Sequence, residues 1–306
     1  MILVWIIFAA VMILLISYIC FRMVFVAQRE KPLGPEEFSL PKGRVYKPFH
    51  ETMKGWMREL RTLPKEDFYI TSVDGLKLHA SYYEYEPGAV MEIMFHGYRG
   101  TAERDLCGGV QRCFALGRNA FVVDQRGAGQ SEGKVISFGV NESKDCVRWA
   151  EFAVEHFGPD VKIILTGISM GASTVLMAGG KELPDNVIGI LADCGFSSGR
   201  DIICHVAKRM KLIPALIFPF IKLGAKLFGH FDIDECPPKE ALKNCKKPVL
   251  FFHGETDSFV PCYMSRENYD ICPTRKKLVT TPGAGHGLCY PVDPETYLKE
   301  LGDFFK

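Results

Sequence analysis

The sequence predicts an α/β fold in which a mostly parallel, doubly wound sheet is covered by helices on both faces. Short apolar segments, each the length of one strand, alternate with longer segments of helical character. Strands that are buried on both faces have this continuous apolar character. Two further features precede the alternating region: an apolar N-terminal segment and a pair of strands joined by a tight turn. We therefore expect one transmembrane helix, then a parallel sheet with an antiparallel edge hairpin and a helical lid insertion.

The N-terminal segment, residues 1–27, is expected to be an uncleaved membrane anchor. Residues 1–21 carry no charged side chain, and the apolar run resumes after Arg22. About 20 apolar residues are enough to cross the hydrocarbon core of a bilayer. The segment lacks the basic start and the small-residue cleavage site that are typical of a secretory signal peptide.

The charges around this segment predict its orientation. The initiator amine precedes it, whereas the nearest basic side chains all follow it: Arg22, Arg29, Lys31, Lys42, Arg44 and Lys47. Positive charge is usually retained on the cytoplasmic side of a membrane. We therefore expect a single-pass membrane protein whose folded domain faces the cytoplasm.

The composition excludes several other classes of function. A formal net charge of +1 over 306 residues gives no basis for nucleic-acid binding. The 11 cysteines show neither C-x-x-C pairs nor the Cys/His spacing of a metal site. We therefore expect mostly free, buried thiols, which favour a reducing compartment, and no metal, cofactor or protein partner.

The rest of the chain divides into a juxtamembrane connector, residues 28–67, and a main domain, residues 68–306. The connector holds a short helical candidate at 51–60. In the domain, Asp74-Gly75 is a good hairpin turn between two strands within 68–85. Further strands are expected at 91–95, 119–123, 161–165, 187–192, 249–252 and 277–281. Helices are expected at 101–116, 140–156, 172–183, 264–271 and 294–305.

One interval, residues 195–247, is too long for a simple connection between strands. Its apolar stretch, 213–228, has more apolar surface than one helix face can bury. We expect a helical lid packed on the core, and the alternative is a lid whose inner face lines an acyl pocket. The residues that would distinguish these cases are Leu216, Phe218, Phe220 and Leu223.

The motif with most chemical content is Gly167-Ile168-Ser169-Met170-Gly171. It follows an expected strand and precedes an expected helix, which is the context of a nucleophilic serine on a sharp strand-to-helix turn. Small neighbours at Gly167 and Gly171 allow that turn. The helix N-terminus provides N–H groups for a developing oxyanion. The alternative is an ordinary tight turn.

A nucleophilic serine needs a base and an acid that orients the base. Asp257 follows the expected strand 249–252, and His286 follows the last expected strand. Because the carboxyl ends of parallel strands meet at one edge of a sheet, both are expected beside Ser169. Asp193, at the end of strand 187–192, is the rival acid, and Glu255 is a weaker one.

The segment His96-Gly97-Tyr98-Arg99-Gly100 follows another strand and is expected to complete an oxyanion hole. The backbone N–H of Tyr98 would act together with that of Met170. Gly97 lets the chain turn close to the site, and His96 is expected to brace the loop. The segment 124–131 lacks the Lys-Ser/Thr ending of a phosphate loop, so we interpret it as structural, with Arg126 buried in hydrogen bonds.

Together these segments resemble the α/β-hydrolase superfamily over about residues 68–306. The sequence carries the motifs in the order HGYRG, DQRGAGQSEG, GISMGAS, GETDSFVP and GAGHG. It resembles most the bacterial membrane-anchored hydrolases grouped with carboxylesterase-like and serine aminopeptidase-like members. The resemblance implies Ser169 as nucleophile, Asp257 as acid, His286 as base, and Tyr98 and Met170 as oxyanion donors. It leaves the substrate open, and the sequence shows no acidic residues of the kind expected to bind a free peptide amine.

Three functional hypotheses follow. The first is a membrane-tethered serine hydrolase that cleaves carboxylic esters, including thioesters or amides as near variants, with a small or lipid-like acyl substrate. The second is an acyltransferase that passes the same acyl-enzyme to another acceptor. The third is a non-enzymatic binding module, against which the complete set of Ser169, Asp257 and His286 argues.

Overall fold

A computed structural model describes residues 1–29 and 33–306; residues 30–32, with Lys31 of the basic group, lie outside the described residues. An eight-stranded sheet has the order β1-β2-β4-β3-β5-β6-β7-β8. Its strands are β1 (Glu66–Thr71), β2 (Lys77–Tyr83), β3 (Met91–Phe95), β4 (Asn119–Asp124), β5 (Ile163–Ile168), β6 (Val187–Asp193), β7 (Val249–Gly254) and β8 (Lys276–Thr281).

The expected combination of a parallel sheet and an antiparallel edge is confirmed. Strands β1 and β2 pair antiparallel around the Asp74-Gly75 turn, and β2 pairs antiparallel with β4. The remaining pairs are parallel. All carboxyl ends from β3 to β8 therefore lie at one edge, which is where ligands of such sheets bind.

Two helices, α1 and α2, precede the sheet, and the others alternate with the strands after β3, as expected for this class of fold. The helices of the described residues have the following bounds. They are α1 (Ile2–Val24), α2 (His50–Thr62), α3 (Ala102–Ala115), α4 (Glu142–Phe157), α5 (Met170–Gly179), α6 (Gly199–Arg209), α7 (Pro214–Gly229), α8 (Pro238–Ala241), α9 (Tyr263–Ile271), α10 (Cys289–Val292) and α11 (Pro294–Phe304).

The sheet separates two apolar layers because side chains alternate along each strand. In β3, Ile93 and Phe95 pack in the layer that contains Trp149 of α4. Met94, between them, packs in the opposite layer with Leu106 of α3. The continuous apolar runs of the sequence therefore correspond to strands covered on both faces.

One expected helix boundary is wrong by four residues. The helix after the serine ends at Gly179, whereas the sequence pattern extended it to residue 183. A Cβ atom at Gly180 would lie 2.4 Å from the carbonyl oxygen of Ala241. This close approach to α8 requires glycine, which favours helix poorly, and the helix stops there.

The N-terminal helix α1 is long and apolar enough to cross a membrane, and most of its side chains are exposed. Its C-terminal turns, however, are part of the folded body. Ser17, Phe21 and Phe25 are buried, and Phe25 has no exposed surface. After the helix, Val26 forms an antiparallel bridge with Val135.

The connector also packs on the body. Helix α2 lies against α3, and its inner face, with Met53, Met57 and Leu60, is buried. On α3, Gly108 provides the space: a Cβ atom there would lie 2.8 Å from the Trp56 ring.

The insertion between β6 and β7 is helical and comprises α6, α7 and α8. Phe218 and Ile221 of α7 are buried in a cluster with Phe138 and Met170. Leu216, expected either in the core or in an acyl pocket, is instead 66% exposed. The apolar surface of α7 therefore faces both inward and outward.

Candidate active site

Ser169 lies on the sharp turn between β5 and α5. Its backbone has φ 57° and ψ −119°, a combination that is strained for a residue with a side chain. This conformation is the one in which a serine hydroxyl projects above the carboxyl edge of a sheet.

Gly167 and Gly171 are required in the motif because a side chain at either position would clash with the backbone. A Cβ atom at Gly167 would lie 2.1 Å from the carbonyl oxygen of Gly171. A Cβ atom at Gly171 would lie 2.0 Å from the carbonyl oxygen of Phe95 at the end of β3. Both distances are far below van der Waals contact, so larger residues would open the turn and displace Ser169.

Ser169, His286 and Asp257 form one hydrogen-bonded chain. The Ser169 hydroxyl lies 2.8 Å from Nε2 of His286, and Nδ1 of His286 lies 2.6 Å from Oδ2 of Asp257. A carboxylate only accepts hydrogen bonds, so Nδ1 carries the proton and Nε2 is left to accept from the serine. The arrangement is that of a nucleophile, a base and an orienting acid.

Asp257 is held as an ion by its surroundings. Its Oδ1 accepts hydrogen bonds of 2.8 and 2.9 Å from the N–H groups of Phe259 and Val260. Burial on its own raises the pKa of Asp257, but hydrogen bonds from His253 and His286 outweigh it and hold the pKa below its usual range. A charged carboxylate in this position stabilises a positive charge on His286.

The rival acids have other partners. Asp193 ends β6 and accepts a hydrogen bond of 3.1 Å from the Tyr297 hydroxyl. Burial raises the pKa of Asp193, with Tyr297 acting in the opposite direction. Glu255 accepts a hydrogen bond of 2.8 Å from the Thr280 hydroxyl at the surface.

The loop after β3 contacts the serine. A Cβ atom at Gly97 would lie 3.4 Å from Cβ of Ser169. The next backbone N–H, that of Tyr98, and the N–H of Met170 donate no hydrogen bond within residues 1–29 and 33–306. Both N–H groups are therefore without an acceptor among these residues.

His96 and Arg126 both have structural surroundings. Nδ1 of His96 lies 2.9 Å from the carbonyl oxygen of Gly97, and Nε2 accepts a hydrogen bond of 3.1 Å from the Gln125 N–H. Arg126 is buried between Asp74 and Asp145, with nitrogen–oxygen distances of 2.8 and 2.7 Å.

Three neighbours of the site had no role in the sequence analysis. Asp105 accepts a hydrogen bond of 3.0 Å from the Gly97 N–H and so fixes the loop. His253 lies with Nε2 3.4 Å from Oδ2 of Asp257 and 2.8 Å from the Val260 carbonyl oxygen. The sequence feature that could have predicted the position of His253 is its place near the end of β7, four residues before Asp257.

The third neighbour is Tyr46 of the connector, which is half-buried. Burial, followed by the nearby Cys194, Asp257 and Asp105, raises the pKa of Tyr46. A Cβ atom at Gly285, next to His286, would lie 3.7 Å from Cβ of Val45, so this segment passes beside the site although its sequence carries no motif.

One group of side chains near the site resembles a metal-ligand set. Possible ligand atoms of Cys194, Asp257 and His286 lie within 4.8 Å of one another. Burial raises the pKa of the Cys194 thiol well above its ordinary value, and metals bind the thiolate. The carboxylate and imidazole are already bonded to each other. The group therefore fits a hydrogen-bonded chain better than a metal site.

Comparisons with known proteins agree with the fold. A family described as "alpha/beta hydrolase fold" matches residues 93–211. An esterase from Pyrococcus furiosus superimposes with a TM-score of 0.66 at 19% identity, over 92% of this chain and 97% of that one. The chain therefore has the α/β-hydrolase fold and is similar to proteins of that superfamily.

Relatives within the superfamily are distant. YqkD, an uncharacterized protein of Bacillus subtilis, is 27% identical over 190 residues, which is 62% of each chain. The match therefore spans less than two thirds of YqkD. The bem46 protein of Schizosaccharomyces pombe is 26% identical over 253 residues, 81% of this chain and 72% of that protein.

Proposed function

We propose that this α/β-hydrolase protein is a membrane-anchored serine hydrolase that cleaves carboxylic esters through Ser169, His286 and Asp257. The observation that carries the proposal is the continuous hydrogen-bonded chain from Asp257 through His286 to the strained Ser169. The structural similarity to an esterase supports the same reaction class.

In the proposed reaction, the Ser169 oxygen attacks the ester carbonyl while Nε2 of His286 takes its proton. The carbonyl oxygen becomes an oxyanion, which accepts hydrogen bonds from the N–H groups of Tyr98 and Met170. His286 then gives the proton to the leaving alcohol, and an acyl-enzyme remains. Water attacks this intermediate with His286 again as base, which releases the acid and restores Ser169.

Asp257 has a distinct part in both steps. Its carboxylate binds the Nδ1 proton and keeps Nε2 available as the base. It also stabilises the imidazolium that forms transiently. The lowered pKa of Asp257 means that it stays ionised at neutral pH.

The anchor is part of the proposal. Helix α1 has the length and apolar surface of a membrane span. Its final turns are buried in the body, with Phe25 fully enclosed. Removal of the segment as a cleaved leader would expose these contacts, so we propose that α1 is retained.

The experiment is covalent labelling and turnover of the full chain in detergent or liposomes. A fluorophosphonate probe is expected to label the wild type, and Ser169→Ala is expected to lose both labelling and hydrolysis of a p-nitrophenyl ester. Loss of the nucleophile typically costs about 10⁴- to 10⁶-fold in kcat. Labelling that persists in Ser169→Ala would exclude Ser169 as nucleophile.

The same assay separates hydrolysis from acyl transfer. Products are measured with and without an added alcohol acceptor. A hydrolase is expected to release mostly free acid in both cases. Predominant formation of the new ester would favour the transferase.

A further inference from the structure

Helix α7 runs alongside α1 in the same direction. The contacts advance together along both helices: Ser17 meets Gly224, Phe21 packs on Phe228 with ring centroids 5.9 Å apart, and just past the helix ends Phe25 packs on Phe231 at 5.1 Å. At the crossing, a Cβ atom on Gly224 would lie 2.4 Å from the carbonyl oxygen of Ser17. The N-terminal half of α7 therefore points the same way as the exposed part of α1.

One face of α7 is an uncharged apolar stripe that is exposed at both ends, whereas Phe220 within it is half-buried against the cluster that contains Phe218. The members of the stripe follow the i, i+4, i+7, i+11 spacing of one helix face, and they are Leu216, Phe220, Leu223 and Leu227. Leu216 is 66% exposed and Leu227 is 45% exposed. The helix start adds two more exposed apolar residues, Leu212 and Ile213.

The two lysines of α7 form ion pairs with aspartates of the following loop. Lys222 lies 2.5 Å from Asp234 and 3.3 Å from Asp232, and Lys226 lies 3.1 Å from Asp232. These pairs draw the lysines away from the apolar stripe. By contrast, the last turn of α6 and the short connection to α7, together called the basic turn, carry two exposed lysines, Lys208 and Lys211, close in sequence to Leu212 and Ile213.

We propose that the apolar stripe of α7 and the basic turn before it form a second membrane-docking surface that lies in the interfacial region of the bilayer. Three observations favour a lipid bilayer as occupant. The stripe lies on a helix that packs directly on α1, its exposed side chains are apolar, and the nearby lysines match anionic headgroups. An amphipathic helix with such flanking charge binds at the membrane interface.

The proposal rests on the membrane anchoring proposed for α1, and it adds a consequence for the site. The inward face of α7, through Phe218 and Ile221, packs in the same cluster as Met170, which follows Ser169. A docked α7 therefore holds the carboxyl edge of the sheet against the bilayer, where acyl esters of membrane lipids are concentrated.

The test is site-specific photo-crosslinking of the full chain in phosphatidylcholine liposomes that contain phosphatidylglycerol and a clickable lipid. Benzoylphenylalanine replaces one residue at a time: Leu216 on the stripe, Ile7 in α1, and Tyr85 as the matched control. Tyr85 is 49% exposed and lies after β2, at the amino edge of the sheet. We expect lipid adducts at positions 216 and 7, with at least tenfold less at position 85.

The outcomes separate the two proposals. If position 7 forms lipid adducts but position 216 forms no more than the control position 85, the docking surface is overturned. The proposal that α1 is a membrane anchor would still hold. Absence of lipid adducts at both 7 and 216 would overturn both. A crosslinked dimer in place of a lipid adduct at 216 would identify a second copy of the chain as the occupant and overturn the proposal.

The charge is tested in the same system. A basic residue beside an anionic surface changes binding by about fivefold. We expect the adduct yield at position 216 to fall several-fold in liposomes without phosphatidylglycerol, or in the Lys208→Gln, Lys211→Gln variant. Equal yields under all these conditions would overturn the role of the lysines.

Discussion

The Tyr98 hydroxyl donates a hydrogen bond of 2.6 Å to the carbonyl oxygen of Val24, and so joins the proposed oxyanion loop to the end of helix α1. The neighbouring Arg99 reinforces this junction, with hydrogen bonds of 2.8 and 3.0 Å to the carbonyl oxygens of Met23 and Val26. The carbonyls of Met23 and Val24 have no partner within the helix because they lie in its last turn, and Val26 follows the helix. Helix α1 and the loop beside Ser169 are therefore in direct contact.

Tyr98→Phe tests whether this contact positions the loop. The variant keeps the backbone N–H but loses a hydrogen bond that is worth about 1 kcal/mol, so we expect kcat/KM to fall several-fold. The inhibition constant of a trifluoromethyl ketone, which forms a tetrahedral adduct with an oxyanion, should rise in parallel. Tyr69→Phe, which removes a bond of 3.0 Å to Gln130 far from the site, should change neither. An unchanged inhibition constant in Tyr98→Phe would exclude positioning by Tyr98.

Asp257→Asn and Asp193→Asn separate the two candidate acids. We expect Asp257→Asn to lower kcat by about 10⁴-fold, because the amide neither stabilises the imidazolium nor favours the right tautomer. Asp193→Asn should leave kcat within several-fold, because the carboxylate of Asp193 bonds to Tyr297, whereas His286 bonds to Asp257. Steady-state ester hydrolysis provides the comparison, and the reverse ranking would move the acid to β6.

Much of the site could be predicted because its signals are local. Ser169 needs glycines on both sides, since its turn brings Gly167 against Gly171 and Gly171 against Phe95. Asp257 and His286 follow strands, and parallel strands bring their carboxyl ends to one edge. The catalytic roles of these residues remain predictions that the proposed experiments test.

The contacts of the N-terminal region could not be predicted because they depend on tertiary packing. The apolar pattern of α1 indicates a membrane span, but it does not predict that α1 packs closely on α7 at Ser17 and Gly224. Nor does any motif place Tyr46 beside the site. The exposure of Leu216 was missed for a related reason. Helix α7 packs alongside the apolar helix α1, and its sequence does not show which apolar residues are buried and which are exposed.

Glu92→Gln tests a buried charge cluster behind the site. Glu92 of β3 is fully buried and lies 2.6 Å from Arg112 and 2.7 Å from Arg118. Removal of its charge leaves two buried guanidinium groups without their partner, so we expect a loss of about 3–5 kcal/mol in unfolding free energy. Denaturant titration of the detergent-solubilised full chain measures it. The control Glu182→Gln affects an exposed pair with Lys246 and should change stability by at most about 0.5 kcal/mol.

The same cluster predicts a dependence on pH. Burial raises the pKa of Glu92, but Arg112 and Arg118 outweigh burial and lower it below the ordinary value. Its contribution to stability is therefore complete above the unfolded-state pKa of about 4.3, and it is lost as the pH falls from there toward the lower folded-state pKa. The wild type should lose more stability than Glu92→Gln over this range. Parallel pH profiles for the two proteins would contradict this assignment.

The orientation of the domain is tested through Cys236, which is exposed in the turn after α7, whereas eight of the other thiols are buried. Basic residues after α1 predict that the domain faces the cytoplasm. In intact bacterial cells that express the full chain, a membrane-impermeant maleimide should leave Cys236 unmodified, and permeabilisation should make it reactive. Cys236→Ser identifies the signal that belongs to this thiol. Equal modification of the wild type before and after permeabilisation would place the domain outside the cytoplasm.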